Sequence, residues 1–75
     1  MKITANDYEA NEIIKIMREW TELTQEQFGN SIHRSRSTIQ SMETKRMNIY
    51  LHTFLEIAEQ HGITITIEKK DKKSK

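Results

Sequence analysis

Residues 31–43 read SIHRSRSTIQSME. Arg34 and Arg36 stand among Ser35, Ser37 and Thr38, directly ahead of Ile39, Met42 and a lone Glu43. Ser35 is a good N-cap, because its side-chain oxygen can accept from a backbone N–H two or three residues on. Ile39 and Met42 then give a helix from about 35 to 43 its buried side. The rest of that helix is small, polar and basic at its start.

The flanking segments read as further helices. Upstream, Thr24-Gln25-Glu26-Gln27 is a capping-box sequence, with Thr24 as N-cap and Gln27 reaching back. It opens a short helix with Phe28 and Ile32 as its apolar positions. Before it, Asn6 or Asp7 is expected to cap a first helix in which Ala10, Ile13, Ile14, Met17 and Trp20 recur at three- and four-residue spacing. Glu9 and Glu12 near that start suit the helix dipole. Downstream, Thr44 to Asn48 reads as a loop. Leu51, Phe54, Leu55, Ile57 and Ala58 mark another helix, which Gly62 stops.

After Gly62 the apolar period falls to two. Ile63-Thr64-Ile65-Thr66-Ile67 alternates as a half-buried strand does. A lone strand needs a partner for its backbone groups, and apart from Met1–Thr4 the chain offers no second strand-like segment. Pairing with the same strand of another copy, through Ile63, Ile65 and Ile67, meets that need and implies a symmetric dimer. The expected organisation is a helical domain over 1–62, a dimerising strand over 63–68 and a basic disordered tail over 69–75.

Composition narrows the function. The chain has 75 residues, 35% hydrophobic, with no cysteine. That is one small domain without disulfides, near the lower size limit for a self-sufficient core. No apolar run approaches a membrane span and no signal-peptide core is visible, so a cytoplasmic protein is expected. The net charge of +1 hides a pattern: residues 1–33 carry −3, 34–48 carry +3, 49–68 carry −3 and 69–75 carry +4. The opening stretch therefore belongs to a basic patch between acidic segments, a distribution that suits an anionic partner.

Other chemistry finds little support. His33, His52 and His61 lack metal-ligand spacing, and with only Gly29 and Gly62 there is no phosphate-cradling loop. Glu22 and Glu26 have no sign of a cleft to tune them. No enzyme, cofactor, metal or small-molecule substrate is expected.

Two short helices joined by a tight turn, the second polar and basic at its start, suit a helix-turn-helix, whose second helix enters the DNA major groove. Leu23 to Ile63 resembles the phage repressor/Cro-like (XRE-type) helix-turn-helix family without a gap. The likeness is carried by LTQEQF, SRSTIQSME and TFLEIAEQHGI. It implies an all-α repressor-like domain of four to five helices, plus the C-terminal strand. It also implies a transcriptional regulator, a repressor, binding palindromic double-stranded DNA as a homodimer from the cytoplasm of a bacterium or on behalf of a phage. Arg36, Ser37, Ser41 and Gln40 would face bases. Gln25, Ser35, Thr38, Thr44, Lys45, Arg46 and Arg34 would face the sugar–phosphate backbone. Arg18 and Glu43 would form a structural ion pair.

Two positions depart from the family pattern. His33 stands where glycine is usual in the tight turn, and Arg34 follows where an apolar residue is common. Histidine tolerates positive φ better than most residues; either the turn differs in shape or Arg34 swings out to a phosphate. Lys45 also replaces a frequent glycine. The C-terminal TFLEIAEQHGITITIEKK is similar to HipB-like antitoxins of persister-kinase modules, which dimerise partly through paired strands, bind their own operators and neutralise a kinase toxin. That resemblance implies a toxin protein as a further partner.

Overall fold

The computed structural model describes residues 1–45 and 47–71. A 3-10 turn over Ala5–Asp7 precedes four helices: α1 (Ala10–Thr21), α2 (Gln25–Ser31), α3 (Arg36–Glu43) and α4 (Leu51–His61). The all-helical class is as expected. The first cap is not: Asn6 and Asp7 lie in the 3-10 turn, and Glu9 is the N-cap of α1. The Glu9 N–H donates to Glu12 Oε1 at 2.8 Å, so Glu12, three residues into the helix, satisfies the backbone that a shorter side chain was expected to serve. Thr24 and Gln27 exchange the reciprocal bonds of a capping box, at 3.1 and 3.0 Å, and the Thr38 N–H donates to Ser35 Oγ at 3.1 Å.

Ile14, Met17, Phe28, Ile32, Ile39 and Ile57 form the centre of the core with almost no exposure. Burying each is worth about 1.5–3 kcal/mol. α2 and α3 pack against each other and across α1, and α4 joins the shared core through Ile57 and Ala58. Two expected core positions are corrected: Ala10 is exposed and Trp20 only half-buried.

α4 presents a different face from the one its leucines suggested. Leu51 and Leu55 are 65% and 48% exposed, whereas Thr53 is buried at 6%. At 100° per residue Thr53 and Ile57 lie about 40° apart at the centre of the buried side and Leu55 about 160° from Thr53, while Leu51 is the first residue of α4 and lies exposed at its end. Gly62 ends α4 at φ 68°. The Ile63 N–H then bonds Ala58 O at 2.9 Å and its side chain packs on the core.

Beyond Ile63 the expected strand does not form within one chain. Among the described residues there is no strand at all, and Met1–Thr4 supplies no partner. Ile65 and Ile67 stand 41% and 92% exposed. The reason is local: an extended segment without a neighbouring strand has no ladder to join. Of the tail, residues 72–75 lie outside the described residues.

Candidate nucleic-acid interface

The α2–α3 turn is built around Gly29. The Arg34 N–H donates to Gly29 O at 2.8 Å, and a Cβ on Gly29 would collide with the Arg34 carbonyl oxygen. The side chain glycine lacks is what lets the turn fold back onto α2. His33 makes the reversal at φ 60°, the left-handed conformation that glycine adopts without cost. Glu22 and Lys45 take the same conformation after α1 and α3, at φ 62° and 67°. Lys45 stands in a frequent glycine position, but nothing in the sequence marks Glu22. Only the short gap between α1 and the Thr24 cap demands so sharp a turn there.

Glu43 ties the far end of α3 to the domain. Its Oε2 accepts from Arg18 Nε at 2.6 Å, and its Oε1 accepts from Arg18 Nη2 and Gln25 Nε2, both at 3.2 Å. Arg18 Nη1 also donates to Leu23 O at 3.1 Å. The Glu43 side chain is 4% exposed and that of Arg18 17%. The hydrogen bond that Arg18 donates to Glu43 holds the Arg18 pKa above its ordinary value, outweighing the burial that lowers it. Asn11 Nδ2 adds a longer bond to the Glu43 carbonyl at 3.4 Å. Gln25 therefore has one amide hydrogen committed inside the protein and a second left for an outside acceptor.

The near end of α3 points its polar atoms outward. Ser35, Arg36, Ser37 and Gln40 are exposed, while Thr38 and Ser41 are half-buried. Ser35 Oγ lies 3.2 Å from Ser37 Oγ and 2.9 Å from Thr38 Oγ1, so the hydroxyls form one small network over the first turn. Thr44 turns its hydroxyl back onto α3, toward Gln40 O at 3.0 Å and Ser41 O at 3.3 Å. Lys45 is exposed, and Arg46 lies outside the described residues. The fold is similar to that of HipB. A solved complex of a HipB variant with an O2 20mer superposes with a TM-score of 0.65 at 22% identity, covering 95% of this chain and 97% of that one. No protein-family model and no curated protein matches the chain by sequence.

Within this HipB-like frame, Arg34 turns toward α4. Its Nη1 donates to Ile32 O at 2.9 Å and its Nη2 meets Glu56 Oε1 of α4 at 3.2 Å. Glu56 of α4 thus holds the guanidinium in the chain without DNA. Sequence reasoning also missed His61. Its ring stacks on Phe28 at 5.1 Å and its Nε2 lies 2.8 Å from Ser31 Oγ, joining α4 to α2. Its position three residues after Ala58 on the buried side of α4 was the available signal.

Neither a metal site nor a membrane span is present among the described residues: no group of three or more His, Asp or Glu side chains converges, and no helix is long and apolar enough to cross a bilayer.

Proposed function

We propose that the chain is a sequence-specific DNA-binding regulator that represses by occupying a palindromic operator as a homodimer. One recognition helix, α3, would enter each half-site, with half-sites about one helical turn apart. The observation that carries this reading is the exposed, hydroxyl-lined first turn of a helix whose other end is latched by Arg18 and Glu43. Such a helix is a rigid reader with Arg36 at its tip, and an arginine there can bond guanine O6 and N7 together. Ser37 is small enough to let the helix approach, and Ser41 and Gln40 follow along it. Ser35, Thr38, Thr44, Lys45, Arg46 and the second Gln25 amide hydrogen would hold phosphates. The likeness to a HipB in complex with an O2 20mer supports the same use of the fold.

A second reading is favoured by that same likeness: an antitoxin whose tight partner is a kinase toxin and whose DNA binding is autoregulation. Co-purification with the product of the neighbouring gene separates the two.

The first test is fluorescence-anisotropy titration of DNA from upstream of the gene against scrambled DNA at two salt concentrations. Tight, sequence-dependent, salt-sensitive binding is expected. Arg36→Ala should cost about 1–3 kcal/mol on the preferred DNA and relax one base position. Equal weak binding to both DNAs, unchanged by Arg36→Ala, would sink the proposal.

A further inference from the structure

We propose that Glu56 competes with DNA phosphate for Arg34, so that this carboxylate acts as a built-in brake on DNA affinity. The inference rests on the DNA-binding reading and adds a regulator to that same site.

The backbone of Arg34 cannot move far, since its N–H bonds Gly29 O and its carbonyl packs on the Gly29 Cα. Its side chain can. The two groups of the ion pair retain 32% and 39% of their side-chain exposure, and pairs this open to water are weak and screened. A phosphate offers the same guanidinium a stronger, bidentate partner. Nη1 and Nη2 are both engaged among the described residues, so a phosphate that takes the Nη edge does so at the expense of Glu56.

Position favours the exchange. Arg34 immediately precedes Ser35, the cap of α3, and lines a groove of about 230 Å³ together with Thr38 of α3 and His52 of α4. Glu56 belongs to the acidic block 49–68, yet it reaches across to the basic block 34–48. In the free protein it cancels one of the patch's charges. On DNA it would lose its partner to the phosphate, so part of the binding energy is used to displace it.

The test is a double-mutant cycle on upstream DNA: wild type, E56Q, R34A and the pair, with E59Q as the control. Glu59 is exposed on the same helix, and E59Q removes the same charge without touching an ion pair among the described residues. E56Q should tighten binding about three- to tenfold at low salt, since no carboxylate has to be displaced, with the salt slope little changed because Arg34 meets the same phosphate in both proteins. E59Q should change affinity less than about twofold, and the E56Q gain should vanish in R34A. Equal gains from E56Q and E59Q, or a gain that persists in R34A, would overturn the brake while leaving DNA binding intact. A wild-type protein with no salt-sensitive DNA binding would overturn both. Circular dichroism of each variant separates these outcomes from misfolding.

Discussion

Gly29 and Arg34 meet backbone to backbone: one donates no side chain, the other folds its carbonyl into the space that side chain would fill. Replacing Gly29 by alanine would ordinarily strengthen α2 by about 0.5–1 kcal/mol through helix propensity. Here the added methyl meets a carbonyl oxygen and the Ile39 side chain, neither at the free end of a flexible group. Overpacking of this kind costs about 1–3 kcal/mol, so the steric term wins. Urea unfolding of Gly29→Ala should show a net loss of stability; a gain would mean the turn opens freely.

The Arg18–Glu43 pair predicts an asymmetric response. Arg18→Ala leaves a carboxylate 4% exposed without its cation, and stranding a buried charge costs about 3–5 kcal/mol. Small domains have about 5 kcal/mol or more to lose, so this variant should keep only a small part of its stability and melt well below the wild type. Arg18→Lys keeps the charge but not the paired geometry, and should fall between. Thermal melts of the two variants check the order.

Strain at the turns should be removable. His33 sits at φ 60°, a conformation that costs a non-glycine residue roughly 1–2 kcal/mol. Glycine returns about half of that through its looser unfolded chain. His33→Gly is therefore expected to stabilise the domain by about 0.5–1 kcal/mol, as is Lys45→Gly at φ 67°. Chemical denaturation that moves the midpoint downward for both would contradict the assignment of strain.

For the proposed homodimer, Ile67 is the informative position. It is 92% exposed in the single chain, so Ile67→Lys should leave the melting of an isolated subunit unchanged within about 0.5 kcal/mol. If two copies pair through residues 63–67, the same change should weaken association and reduce operator affinity. Sedimentation velocity at micromolar concentration reads the first effect directly. A wild-type chain that stays monomeric with and without DNA would end the dimer proposal.

Much of this fold was legible because its signals are local. Thr24 with Gln27, Ser35 ahead of α3 and Gly62 after α4 each carry a cap within four residues. Phe28, Ile32, Ile39 and Met42 announce burial by spacing. What escaped the sequence depends on geometry between elements. Leu51 and Leu55 look like core until the rotation of α4 against α2 chooses Thr53 instead. Glu56 carries no mark that it will meet Arg34, 22 residues away. The alternation over 63–67 marks no strand among the described residues, where no second segment lies beside it. Among candidate site residues, Arg36 and its neighbours were read from type and register. Arg34 was assigned by register too, and the fold turned it toward α4.

The anchoring of Ile63 has a mechanical consequence. Its N–H is tied to Ala58 and its half-buried side chain packs against the core, so only Thr64 separates a fixed point from Ile65. Any pairing made by the outer isoleucines is thus geared to the helices with almost no slack. A second copy gripped there would be held at a set span, and the chain would work as a calliper rather than as two hands on a rope. One residue inserted after Ile63 would turn the outer isoleucines to the opposite face, and the jaws would close on the wrong distance.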